Sequence, residues 1–210
     1  MRLPLNIDSV KGFMPRAEGE ALYAACAQAL SDKGVFAASG GLCAEIGSYC
    51  GKSAVYLGTA CRAHGGRLLA VDHHRGSEEN QPGEVWHDAE LADGEGGVDT
   101  LPHLRATLRR ARLERVVLSL VGHAEDAAAC VAAPLAFVFI DGGHSREAVM
   151  RDYRLWSPKL APAGLLALHD VFPDPADGGQ APYEVYRGAL ASGLFAETHH
   201  VGSLRVLRRV

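Results

Sequence analysis

Apolar residues in this chain alternate between helical spacing and short continuous runs, and that alternation predicts a repeated βα fold. Leu22, Tyr23, Cys26 and Leu30 share one helical face, so a first helix covers 18–30. Leu42-Cys-Ala-Glu-Ile46 is a short run stopped at Gly47, as a buried strand is. Residues 52–63 return to helical spacing with Val55, Tyr56 and Leu57 inside. A second strand, Arg67-Leu-Leu-Ala-Val71, ends at Asp72-His73-His74. Thr100 and Pro102 open a helix carrying Leu101, Leu104, Leu108 and Leu113, and a strand over 116–121 and a short Ala-rich helix follow. Pro134-Leu-Ala-Phe-Val-Phe-Ile140 then leads into Asp141-Gly-Gly-His144. Ser145 can cap a helix bearing Val149, Met150, Tyr153 and Trp156, ended by Pro158 and Pro162-Ala-Gly164. Gly164-Leu-Leu-Ala-Leu168 runs into His169-Asp170, and Pro182 opens another helix through Leu190.

Two final runs, Phe195–Val201 and Ser203–Val210, are separated only by Gly202. So short a connection allows a hairpin but no parallel crossover, so the last strand is antiparallel. The expectation is one α/β domain over 1–210: a doubly wound, mostly parallel seven-stranded sheet closed by an antiparallel C-terminal hairpin strand. The strands at 134–140 and 164–168 are joined by a helix, which makes them parallel neighbours with their C-terminal ends at one sheet edge. That edge is where open α/β sheets bind ligands.

Composition narrows the class. At 48% hydrophobic and 22% charged residues the chain has a globular balance, which excludes disorder. No apolar run approaches the roughly 20 residues that cross a bilayer, and MRLPLNIDSVKG lacks a signal-peptide core, so a cytoplasmic location without membrane contact is expected. Five cysteines (Cys26, Cys43, Cys50, Cys61 and Cys130) are odd in number, form no CxxC pair and mostly sit in apolar surroundings, reading as reduced, largely core thiols. The net charge of −4 hides an asymmetry: residues 75–99 hold eight acids and one Arg, a local −7, leaving about +3 for the rest (−4 minus −7). At roughly 25 residues this segment is longer than an ordinary connection and is expected to form a lid or substrate wall. No basic stripe with interleaved aromatics is present, so nucleic acid is not an expected partner.

Glu45-Ile-Gly-Ser-Tyr-Cys-Gly-Lys-Ser53 resembles a P-loop but has three residues between Gly47 and Gly51 where that phosphate cradle needs four. The dinucleotide G-x-G-x-x-G is also absent. What remains suits a tight strand-to-helix turn with the helix N-terminus facing a carboxylate. Asp72, 25 residues beyond Gly47 at the next strand's end, can accept hydrogen bonds from both hydroxyls of a ribose. With no second glycine to admit a pyrophosphate, S-adenosylmethionine is favoured over NAD.

Together EIGSYCGKS, VDHH, VGHAEDA, FIDGGHS, LHDV and the hairpin tail resemble the class I S-adenosylmethionine-dependent methyltransferases across residues 10–210. The similarity is strongest to small O-methyltransferases acting on sugars and to the metal-dependent catechol and macrolide-sugar groups. It extends to the type that methylates mannose oligosaccharides. The resemblance implies that Glu45, Gly47, Ser48 and Ser53 line the methionine part of the cofactor. It also implies that Asp72 holds the ribose beside His73, and that Ala124 and Glu125 flank the adenine. Asp141 falls where a ligand is shared between metal and cofactor pocket, and His169-Asp170 where the second metal-binding pair stands. The imidazole departs from that pattern, so His169 either ligates metal or touches substrate. Dimers occur among such relatives, so a homodimer is expected.

A chemical argument for a metal stands beside the resemblance. An aliphatic hydroxyl does not ionise at neutral pH, and a divalent cation on Asp141 and Asp170 would lower its pKa and orient it. Hard oxygens favour Mg²⁺, with Mn²⁺ as the alternative. His144, after two glycines, is the candidate general base, because an unperturbed imidazole titrates near neutrality. His74, Arg75, Glu78, Glu79 and Asn80 are placed to hydrogen-bond a polyol, and the local negative charge favours a neutral sugar. Two rivals stay open: a nicotinamide-dependent oxidoreductase and a non-catalytic nucleoside-binding subunit.

Overall fold

The computed structural model describes residues 1–210 apart from Pro82, Val85 and Ala133. Two of these belong to the acidic segment 75–99, so that expectation lies partly outside the described residues. Seven strands form one sheet: β1 (Leu42–Ile46), β2 (Arg67–Asp72), β3 (Val117–Val121), β4 (Leu135–Ile140), β5 (Leu160–Leu168), β6 (Phe195–Val201) and β7 (Leu204–Arg209). Their order is β3-β2-β1-β4-β5-β7-β6, and β7 alone is antiparallel, to β5 on one side and β6 on the other. The doubly wound sheet with a terminal hairpin is therefore what the chain forms. From β1 the chain winds outward to β3 and then returns to β4, so the strand order reverses between β1 and β4. A crevice opens at such a reversal, outside the carboxyl ends of the strands.

Helices cover both faces. Against one lie α1 (Arg16–Ser31), α2 (Lys33–Ser39), α3 (Lys52–His64) and α4 (Leu101–Ala111), burying Leu22, Tyr56, Leu104 and Phe137 among others. Against the other lie α5 (Ala124–Cys130), α6 (Arg146–Trp156) and α7 (Ala181–Ala191), over Val138, Leu166 and Trp156. Burial on both faces explains why β4 reads as an unbroken apolar run. Four of the five thiols are buried and all are free; Cys26 and Cys43 pack with their sulfurs 3.9 Å apart. None of the helices described is long and apolar enough to cross a membrane.

Two elements depart from the expected pattern. α2 is too short to show a period, yet Asp32 caps it, its Oδ1 accepting from Gly34 N at 2.9 Å and Val35 N at 3.1 Å. β5 starts at Leu160 rather than Gly164: the segment expected to be a turn is an interruption inside the strand. Leu135 pairs with Leu160 and Phe137 with Leu165, so several extra residues including Pro162 bulge from the ladder. A proline sits at such a bulge because it has no N–H to give the ladder.

Candidate active site

The strand ends are sewn together in a row. Gly47 N donates to Val71 O (2.9 Å), Asp141 N to Ile46 O (2.9 Å), His169 N to Ile140 O (3.2 Å) and Gly122 N to Asp72 O (3.1 Å). These bonds align Asp72, Gly47, Asp141 and His169 along the carboxyl edge, where a cleft of about 1370 Å³ opens. Gly47 serves close packing: at φ 88°, a Cβ there would fall 2.1 Å from the Asp141 carbonyl oxygen. It still lines the cleft, as do Ser48, Ser53, Asp72, His73, Ala124, Glu125 and Asp141.

Asp72 organises one side of the cleft. Its Oδ2 accepts from Ser48 N (2.9 Å) and Tyr49 N (2.8 Å), and its Oδ1 from His74 N (2.7 Å). A carboxylate offers about four acceptor positions, so capacity remains on Oδ1. Ser48 Oγ and Asp152 Oδ1 are buried without hydrogen-bond partners among the described residues, in a cleft they line together with Glu125, whose Oε2 lies 3.5 Å from Arg151 Nε. Unmet acceptors of this kind fit a ligand that brings ammonium, amine and hydroxyl donors, as S-adenosylmethionine does.

Glu45, expected to touch the methionine part, does not line the cleft. It is fully buried on the α3 side of β1, both oxygens lack partners among the described residues, and burial pushes its carboxyl well above the usual range. His74 and Arg75 are likewise not brought to the cleft as substrate ligands. His74 is 1% exposed, its Nδ1 lies 2.7 Å from Thr100 Oγ1, and burial depresses its pKa. Arg75 turns outward to Asp93 (3.3 Å). Glu78, Glu79 and Asn80 do line it, but the Asn80 side chain is spent on Ser77 and the Trp86 carbonyl.

On the other side of the cleft, Asp141, His144 and Asp170 offer ligand atoms all within 4.8 Å of one another. His144 donates from Nε2 to Asp170 (2.9 Å) and from Nδ1 to Glu79 (3.0 Å). The Asp170 hydrogen bond outweighs burial, and Glu79 adds to it, lifting the imidazole to about 9. This departs from the near-neutral base expected of His144: with both nitrogens donating, it is an imidazolium at neutral pH. His169, expected among the metal ligands, stands behind the cluster. Its Nε2 donates to Glu18 (2.6 Å) and its Nδ1 to Asp141 (3.1 Å) and Asp170 (3.4 Å). Burial opposes its charge, yet these three carboxylates raise it to about 12. Neither nitrogen is left for a cation, so His169 orients the two aspartates instead. Asp170, held at φ 54°, is desolvated, but His144 and His169 draw its carboxyl below the usual range.

Glu18 is the site residue that sequence reasoning passed over. It lies on α1, 5% exposed, and its Oε1 accepts from Ser203 N at 2.7 Å in the β6–β7 turn. The signal was present: an acid four residues before Leu22, on the stripe that buries Leu22 and Cys26.

Solved structures share this fold at low identity. The cofactor-bound Rv0187 protein from MTB matches with TM-score 0.61 at 16% identity, over 96% of this chain and 84% of that one. The O-methyltransferase NovP matches with TM-score 0.67 at 16% identity, over 93% and 87%. The S-adenosylhomocysteine (SAH)-bound methyltransferase PaMTH1 from Podospora anserina gives 0.57 at 14%, over 97% and 91%. At such identities these likenesses speak for the fold alone. Residues 44–171, from β1 through the turn after Asp170, match the family model described as "Methyltransferase domain"; with more than half the chain inside that match, the protein belongs to this methyltransferase family.

Proposed function

We propose that the protein is an S-adenosylmethionine-dependent, divalent-cation-assisted O-methyltransferase acting on a hydroxyl of a sugar or similar vicinal diol. One observation carries the reading: Asp141, His144 and Asp170 gather ligand atoms within 4.8 Å in the same cleft as the unmet polar groups of Ser48 and Asp152. Methyl donor and activated hydroxyl would thus meet in one cavity. Two of the structurally similar proteins were obtained with a bound cofactor or SAH, which supports S-adenosylmethionine as the cofactor.

In the reaction a C–O bond forms as the C–S bond of the sulfonium breaks; sulfur keeps the electron pair and the hydroxyl loses its proton. Asp72 would receive the ribose hydroxyls, Glu125 the adenine amine, and Ser48 the methionine end. Holding donor and acceptor in line is the chain's main contribution, because orientation replaces an unfavourable encounter. Asp141 and Asp170 would hold the cation, with His144 beside them; their hard oxygens suit Mg²⁺, with Mn²⁺ as the alternative. When bound, the cation would supply the charge that lowers the hydroxyl's pKa, and the hydroxyl's proton would leave toward the His144–Glu79 pair.

A labelled-methyl assay over glycosides, catechols and natural-product glycosides, with and without chelator, tests the proposal. Transfer to a glycoside that EDTA abolishes and Mg²⁺ or Mn²⁺ restores is expected. Undiminished transfer in chelator removes the cation, and calorimetric binding of NAD but not SAH would hand the site to the oxidoreductase reading.

A further inference from the structure

We infer that Phe13, Tyr49 and Trp86 form the acceptor subsite and clasp the ring of an uncharged pyranoside; this rests on the methyltransferase reading above. The three rings come from separate segments: the stretch before α1, the β1–α3 turn and the acidic loop. All line the cleft. Phe13 lies tilted against Tyr49 (centroids 5.6 Å apart, 39°) and meets Trp86 edge-on at 5.1 Å and 66°. Yet Phe13 is 61% and Trp86 51% exposed. Large apolar rings brought together from distant segments and left wet at a cleft mouth mark a binding surface.

The clasp adjoins the reactive cluster. Trp86 N donates to Glu79 O (3.1 Å), and the Glu79 carboxylate accepts from His144 (3.0 Å). Lys11, two residues before Phe13, pairs with Asp88 and Glu90 (2.6 Å to the latter), tying the two halves of the clasp together. Phe13, Trp86, Asp141 and Asp170 thus border one cleft.

Charge selects the class of ring. The loop's local −7 disfavours phosphorylated acceptors, including thioesters of phosphorylated carriers and RNA. Five of its eight acids are already engaged: Asp88 and Glu90 by Lys11, Asp93 by Arg75, Glu79 by His144, and Asp99 by the Leu101 amide. Lys11, Arg75 and His144 offset only part of that charge, so the loop stays net negative, and a cationic amine is the competing ligand that the fluorescence test separates from a glycoside. A pyranose matches what remains: its axial C–H face meets the electron-rich face of an aromatic ring, and its hydroxyls can donate to Glu78 at the rim.

Fluorescence gives the test, because the chain's two tryptophans differ completely: Trp156 is fully buried and Trp86 half exposed. With SAH bound, methyl hexopyranosides and disaccharide glycosides should shift the Trp86 emission and shield it from acrylamide. Phe13→Ala should weaken glycoside binding about tenfold by this signal, and Trp86→Ala similarly by calorimetry, with SAH affinity and melting temperature unchanged. The inference is overturned if no glycoside shields Trp86 while SAH binds, or if only phenols, amines or thioesters do so. Failure of SAH to bind would instead fell the methyltransferase reading, and the subsite with it.

Discussion

Asp152 shows how one side chain records the cavity it borders. It lies on α6, 4% exposed, with Oδ1 unpartnered among the described residues, and burial lifts its carboxyl from 3.8 to about 6. A raised acid stabilises the fold fully below its unfolded value of 3.8, and that contribution is lost as pH rises through about 6. Asp152→Asn, which mimics the protonated form, should therefore stabilise the free protein at pH 7 by on the order of 2 kcal/mol. The gain should shrink to nothing below about pH 4, and urea titrations at the two pH values check both signs. At this scale the strand-end acids were legible, since Asp72, Asp141 and Asp170 each close an apolar run. Glu45 was not: β1 is buried on both faces, so its alternation does not tell which side chains meet the cleft and which the helices. The charge of His144 was equally hidden, because Glu79 reaches it from 65 residues away.

Between elements, Glu18 is the bolt joining α1 to the β6–β7 turn and to the residue after β5. Burial works against its charge, but hydrogen bonds from His169 and Ser203 prevail and hold its pKa below the usual value. Gly202 leaves room for it: a Cβ there would lie 2.0 Å from Glu18 Oε1. Glu18→Ala should destabilise the protein by about 3 kcal/mol, because it leaves the buried His169 Nε2–H and the Ser203 amide without their acceptor. Chemical denaturation measures the loss; a change under about 1 kcal/mol would mean that His169 folds uncharged. The hairpin itself was legible from a single glycine between two apolar runs. The bulge in β5 was not, since Pro162-Ala-Gly164 carries the same residues as a turn and only the ladder with β4 decides between them.

For the whole molecule, the helix joining the 134–140 and 164–168 strands was enough to put their acids at one sheet edge, whereas the reversal between β1 and β4 shows only in the strand order. The folding of the acidic loop onto the segment before α1 was not visible, since Lys11 and Asp88 are paired by geometry alone. If the cleft takes the cofactor, SAH at about a hundred times its Kd should raise global stability by roughly 2.7 kcal/mol. NAD at equal concentration should leave the melting curve where it was, and a shift with NAD alone would contradict the assignment.

The position of β7 bears on how the chain is made. It inserts between β5 and β6, and Val171 N donates to Ser203 O (3.0 Å) at its threshold, so the turn that carries Asp170 is braced by a segment about thirty residues downstream. During translation, every side chain on the reactive rim leaves the ribosome before that brace exists, and β5 waits as an open edge able to pair with a neighbouring nascent chain. Maturation of the site is thus postponed until β7 arrives, and chaperone demand should peak in the interval between the two strands.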